Sequence, residues 1–261
     1  MARTAARRRR PPRGPQPLPP PLPPERRSVG QLVAETIRFY QHHFFQTLPL
    51  GLSVAALTQL TVAFGHRRDE PRGHPPPRDF DTPTSLLGGG IEVTILLGAL
   101  LLTASYIVAI VLVTGKRPAG RALALAYGLG VLVFLPVPLL AQLLVLPAVA
   151  YLALVGWVVP AALVENRGVA DSFRRSYGLA RVDFVHAVGG LATLVIVFYV
   201  VRLMLALLLR SGGEATERAA ALLADLVLSP MLFVGAAILY LDQAARVRAR
   251  GSKLENPTQE A

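Results

Sequence analysis

The sequence predicts an all-α fold, a polytopic transmembrane helical bundle of about six spans with two short interfacial helices. Three observations predict it. Residues Ala122 to Val164 run for forty-three positions without one charged side chain. The chain is 52% hydrophobic but only 16% charged, whereas soluble domains carry about 25% charged residues. The apolar residues are also gathered into long runs, which favours several membrane spans over one water-soluble core.

As one straight helix, 122–164 is about 65 Å long at roughly 1.5 Å per residue, about twice the ~30 Å hydrocarbon core of a bilayer. The stretch must fold back on itself. The expected reversal lies between Pro136-Val-Pro138 and Pro147, where backbone donors are missing.

The elements follow in chain order. Residues 1–27 hold eight arginines and the run Pro15-Gln-Pro-Leu-Pro-Pro-Pro-Leu-Pro-Pro24. Such a segment buries too little apolar surface to fold, so a disordered tail of polyproline II character is expected. No apolar region follows the arginines within the first thirty residues, so the segment does not read as a signal peptide. Its arginines suit an anionic lipid surface, and a codon-biased tail without a role is the plainer alternative. From Val29 to Tyr40, Val29, Leu32, Val33, Ile37 and Tyr40 recur at helical spacing. That predicts a short interfacial helix over 29–40, or an extension of the first span.

Span one is expected over about Phe44–Phe64, followed by a polar, proline-rich loop from Gly65 to Ser85. Span two covers about Leu86–Thr114 and ends in the basic turn Lys116-Arg117…Arg121. The long uncharged stretch supplies spans three and four. The next segment, Glu165–Asp183, is the least apolar of the interior, and a second interfacial helix is expected over 169–180. Asp171 is placed at its cap, Phe173 and Tyr177 on one side, and Arg174, Arg175 and Arg181 toward water or lipid phosphate. Span five runs over about His186–Leu209 and span six over about Ala219–Tyr240. The organisation is thus a tail (1–27), a six-span domain (28–241) and a polar tail (242–261).

The net charge of +11 does not point to nucleic acid, because most of the basic residues flank spans. Lys116 and Lys253 are the only lysines. Arginine with abundant Ala, Leu, Gly and Pro matches a GC-rich bacterial coding bias, which weakens any inference from the choice of arginine itself. Cysteine is absent, which excludes disulfides, iron–sulfur clusters and thiolate zinc sites. With the N-terminus inside, twenty basic residues fall on the cytoplasmic side, six in outer loops, and Arg202 within a span. A plasma (inner) membrane protein with both termini cytoplasmic is expected.

Val159-Pro-Ala-Ala-Leu-Val-Glu165, followed by Val169-Ala-Asp-Ser-Phe-Arg-Arg-Ser-Tyr-Gly-Leu-Ala180, resembles a recurring P-x-x-x-x-E … A-x-x-x-S-x-x-L stretch. That stretch occurs in bacterial six-span proteins akin to the membrane domain of glycerophosphoryl diester phosphodiesterases and to YciC-like proteins. Leu239-Tyr-Leu-Asp242 and the arginines after it are similar to the Y-x-D-x-R ending of that group, although Gln243 and Ala244 stand before the first tail arginine. The resemblance covers about residues 28–250. It implies a six-helix membrane domain, and it does not carry phosphodiesterase activity over to this chain.

Charges inside spans are costly and usually face protein or water. Three are found: Glu92, Arg202 and Asp225. Arg202 lies eight residues before Arg210 and Asp225 seven after Arg218, while Glu92 lies seven after Ser85. These spacings put all three roughly 10 Å below the outer interface. An Arg202–Asp225 ion pair is expected, with Glu92 in the same polar layer and Thr58, Gln59 and Thr61 completing it; a pair that merely locks the last hairpin is the alternative.

No catalytic, cofactor or metal site is expected. Adjacent His42 and His43 point about 100° apart on a helix and chelate one ion poorly. Gly88-Gly-Gly90 has no lysine after it to make a phosphate loop, and Ser172 and Ser176 have no histidine in a hydrolase-like context. Tyr106 and Trp157 are expected in packing or in an aromatic belt. The leading expectation is a non-enzymatic interaction or regulatory module. It would bind anionic lipid or a partner protein through a cytoplasmic surface made of Glu165, Phe173, Arg174, Arg175, Tyr177 and Arg181. The alternative is a small transporter or lipid-handling protein that uses Glu92, Arg202 and Asp225.

Overall fold

The computed structural model describes residues 27–69, 90–209 and 212–255. Among them the chain is almost wholly helical, and no strand occurs. Residues 1–26, with most of the arginine/proline tail, and the loop from residue 70 lie outside the described residues.

Helix α1 (Val29–His42) starts at a capping box. The Ser28 hydroxyl accepts from the Gln31 backbone N–H at 3.4 Å, and the Gln31 side chain accepts from the Ser28 N–H at 2.8 Å. Leu32, Thr36 and Tyr40, four residues apart, form its buried face. After His43, α2 (Phe44–Asp69) continues past the expected end at Phe64. Nothing in Gly65–Asp69 breaks a helix, since the next proline is Pro71. Helix α3 (Gly90–Thr114) closes at Gly115, whose φ of +64° gives the left-handed turn that glycine adopts freely.

The long uncharged stretch is four pieces: α4 (Gly120–Phe134), α5 (Val137–Leu143), α6 (Val145–Val155) and α7 (Val158–Val164). The chain reverses at Leu144, which is extended at φ −162° and ψ 139°, inside the window set by Pro136 and Pro147. Helices α4 and α5 then run back against α7 and α6. A further break at Gly156-Trp157 was not expected. Pro160 explains it, because it lacks the N–H that would bond the Gly156 carbonyl.

Helix α8 (Val169–Val182) leads into α9 (Phe184–Leu209) and α10 (Glu214–Glu255). The polar stretch from Asp242 continues α10 to Glu255, with no proline before Pro257. Tyr106 and Trp157 are both core residues, 3% and 1% exposed. They pack with Ile110, Val133, Val159, Leu179, Val234 and Tyr240.

Pro230 sits inside α10 and cannot donate to the Leu226 carbonyl. Gly51 of α2 packs against that same carbonyl. A Cβ built on Gly51 would lie 2.0 Å from the Leu226 oxygen, so only glycine lets the two backbones approach this closely.

Among the described residues, five segments are long and apolar enough to cross a membrane: Val93–Thr114, Gly120–Ala141, Val145–Val164, Phe184–Leu209 and Arg218–Arg250. Phe44–Leu60, within the expected first span, is a shorter apolar helix.

Candidate functional site

Among the described residues, three assemblies built on charged side chains interrupt the apolar bundle. The first lies where α7 passes into α8. Asn166 takes a left-handed φ of 54°, which asparagine tolerates, and so turns the chain at the end of α7. Glu165, just before it, accepts from the Tyr240 hydroxyl at 2.8 Å and from Arg175 Nε at 3.0 Å through Oε1. Its Oε2 accepts from Arg167 Nε at 2.5 Å. The two sequence stretches quoted above therefore meet in space, through Glu165 and Tyr240.

Partial burial opposes ionisation of Glu165, but the hydrogen bonds from Tyr240, Arg167 and Arg175 outweigh it and hold the carboxyl below its usual range. A depressed folded value means that Glu165 stabilises the fold fully above the ordinary glutamate pKa of about 4.3, and that this contribution is lost as pH falls through the lower folded value. Thermal melts in detergent between about pH 7 and pH 3 should show this component in the parent protein and not in Glu165→Gln. Parallel melting curves for the two would count against it.

Helix α8 turns Ser172, Ser176, Leu179 and Ala180 inward. Ser176 donates to the Leu154 carbonyl at 2.6 Å, which ties α8 to α6. Its outward face carries Phe173, 36% exposed, and Tyr177, 55% exposed. The Arg181 guanidinium lies 5.2 Å from the Tyr177 ring centre. Arg174 shares this face and reaches Asp171 at 3.8 Å.

Three expectations are thus corrected. Phe173 and Tyr177 share the outward side with Arg174 and Arg181, because the small residues at 172, 176 and 180 take the inward one. Arg175 points inward, drawn by Glu165. The cap is Gly168, with no side-chain cap hydrogen bond from Asp171. Close to this end, a cleft of about 170 Å³ opens between the α3–α4 turn and the end of α7, lined in part by Thr114, Lys116, Arg117 and Asn166.

The second assembly lies toward the far ends of α2, α9 and α10. Arg202 and Asp225 come together: Nε lies 3.4 Å from Oδ1, and Nη2 donates to Oδ2 at 3.5 Å. Thr58 donates to Oδ2 at 2.7 Å. Asp225 is fully buried, and its Oδ1 accepts no hydrogen bond despite the ion pair. Arg202 keeps 31% of its side chain exposed. Gln59 is half-buried on α2. Glu92 lies in the first turn of α3, and its side chain and that of Thr61 lie outside the described residues.

The third assembly gathers the start of α1, the start of α9 and the latter part of α10. Arg27 Nη1 donates to Asp242 Oδ1 at 3.0 Å, and Arg246 Nη1 donates to Asp183 Oδ2 at 2.8 Å. Asp242 and Gln243 are fully buried. The sequence held a signal for them: Asp242 and Gln243 fall one helical turn beyond Ile238 and Leu239, and so continue the buried face of α10.

The adjacent His42 and His43 take local roles. His42 and His43 each place Nδ1 near a carbonyl one turn back, those of Arg38 and Phe39, at 2.9 and 3.1 Å. Among the described residues, no group of three or more His, Asp or Glu side chains is placed to hold a metal ion.

An all-α bundle with five segments able to cross a bilayer and polar assemblies near its ends has the make-up of a multi-pass membrane protein. No protein-family model matches the chain, and neither a curated protein nor a solved structure matches it.

Proposed function

We propose that the protein is a non-enzymatic, six-span component of a bacterial plasma membrane that binds anionic lipid headgroups at its cytoplasmic face. In this reading α2 supplies the first span over about Phe44–Phe64, both termini are cytoplasmic, and α1 and α8 lie in the interface, as their helical spacing of apolar and charged residues suggests. The observation that carries the reading is the outward face of α8. Phe173 and Tyr177 suit the boundary between headgroup and acyl chain, while Arg174 and Arg181 suit phosphate. The Glu165–Arg175–Tyr240 hydrogen bonds fix this face rigidly to the bundle. Lys116 and Arg117 in the neighbouring cleft add basic groups at the same level.

The test is native mass spectrometry of the detergent-extracted protein with added phosphatidylglycerol or phosphatidylcholine. Arg174→Ala with Arg181→Ala removes about 2 kcal/mol of attraction, roughly thirty-fold in affinity, at about 1 kcal/mol per arginine. Phosphatidylglycerol adducts should fall accordingly, with phosphatidylcholine adducts and the melting temperature unchanged. Equal phosphatidylglycerol binding by both proteins would sink the proposal. Co-purifying subunits that the double substitution releases would favour a protein partner on the same face.

One observation favours a transporter or lipid-handling reading. Asp225 Oδ1 is buried without a hydrogen bond beside the half-exposed Arg202. A stoichiometric small molecule or lipid, lost on Asp225→Asn, would assign function to that layer in place of α8.

A further inference from the structure

A buried carboxylate needs a cation held in good geometry, and the source of the cation for Asp242 is unusual. Arg246, one turn further along α10, spends its hydrogen bonds elsewhere. Nη1 goes to Asp183 Oδ2, while Nη2 donates to the Arg27 carbonyl at 2.5 Å and lies 3.3 Å from His186 Nε2. The guanidinium hydrogen-bonded to Asp242 comes instead from Arg27, which precedes the Ser28 cap and belongs to no helix. Arg27 is therefore gripped at two points: Asp242 takes its side chain and Arg246 takes its backbone carbonyl. Its side chain is only 15% exposed and that of Asp242 is not exposed at all.

Two-point recognition of one residue, by its guanidinium and its own carbonyl, is selective for arginine within a peptide. A lysine carries the charge without the planar fork. We propose that Asp242 and Arg246 form an exchangeable binding site for an arginyl residue, filled here in cis by Arg27. Arg27 stands outside α1, one residue before its Ser28 cap. Seven further arginines precede it, beginning with the adjacent Arg26, so a pull on that tail bears directly on this contact. Withdrawal of Arg27 leaves a vacant site for an arginine of a partner peptide.

The experiment uses the full chain in detergent, with N-acetyl-arginine amide as the probe and N-acetyl-lysine amide at the same concentration as the control. Arg27→Ala should melt several degrees below the parent protein. The arginine amide should recover part of that loss at millimolar concentration and the lysine amide should not. The parent, with its site filled, should respond to neither. Arg27→Ala combined with Asp242→Asn should lose the response. Arg27→Lys keeps a charge against Asp242 and makes the same comparison if Arg27→Ala does not fold. The proposal is overturned if neither variant distinguishes the two amides, or if the response survives Asp242→Asn.

Discussion

Arg202→Ala should destabilise the folded bundle by about 3–5 kcal/mol, the range for breaking a buried ion pair from one side. Asp225 has no exposed surface, and Thr58 alone would remain to donate to its carboxylate. A large drop in melting temperature is expected at neutral pH. Adding Asp225→Asn should recover part of it, because an amide carries no charge to desolvate. The exchange Arg202→Asp with Asp225→Arg should fold better than either single change. If Arg202→Ala melts like the parent, the pair contributes nothing to the stability of the bundle.

Gly51→Ala should also be costly, by about 1–3 kcal/mol for inserting one methyl into a packed contact, and at the upper end of that range. The added carbon would meet the Leu226 oxygen at 2.0 Å, with the carbonyl carbon and Cα at 2.7 and 2.8 Å. These are backbone atoms and cannot rotate aside, so α2 and α10 would have to separate. Gly128→Ala is the matched control: a Cβ there meets nothing within 4 Å. It should be neutral or gain up to about 1 kcal/mol from helix propensity. Equal melting temperatures for the two variants would show that the α2–α10 approach is looser than the structure has it.

What was legible in the sequence was governed by local chemistry. An uncharged run too long for one crossing required a reversal, and the prolines confined it to a window that contains Leu144. The Arg202–Asp225 pairing was readable because consecutive antiparallel helices set depth by simple counting from the turn between them. The inward face of α8 was missed because serine and alanine fill it. Small residues bury well against a close neighbour but leave no apolar signature, and the exposed Phe173 and Tyr177 supplied a false one. Tyr240, which donates to Glu165, and Arg27, which donates to Asp242, lie 75 and 215 residues away in the chain. No periodicity within one helix encodes such pairings.

Helix α10 has 42 residues, which is about 63 Å of continuous rod at 1.5 Å per residue. It carries Asp225 toward one end, and Tyr240, Asp242 and Arg246 toward the other, with Pro230 between. Mechanically this is a beam with one backbone hydrogen bond missing, and Gly51 bears on it there from the side. The three polar assemblies are thus mounted on or braced against one lever. A tilt of this rod at one assembly therefore loads the contacts of the other two, because the groups that grip it belong to neighbouring elements.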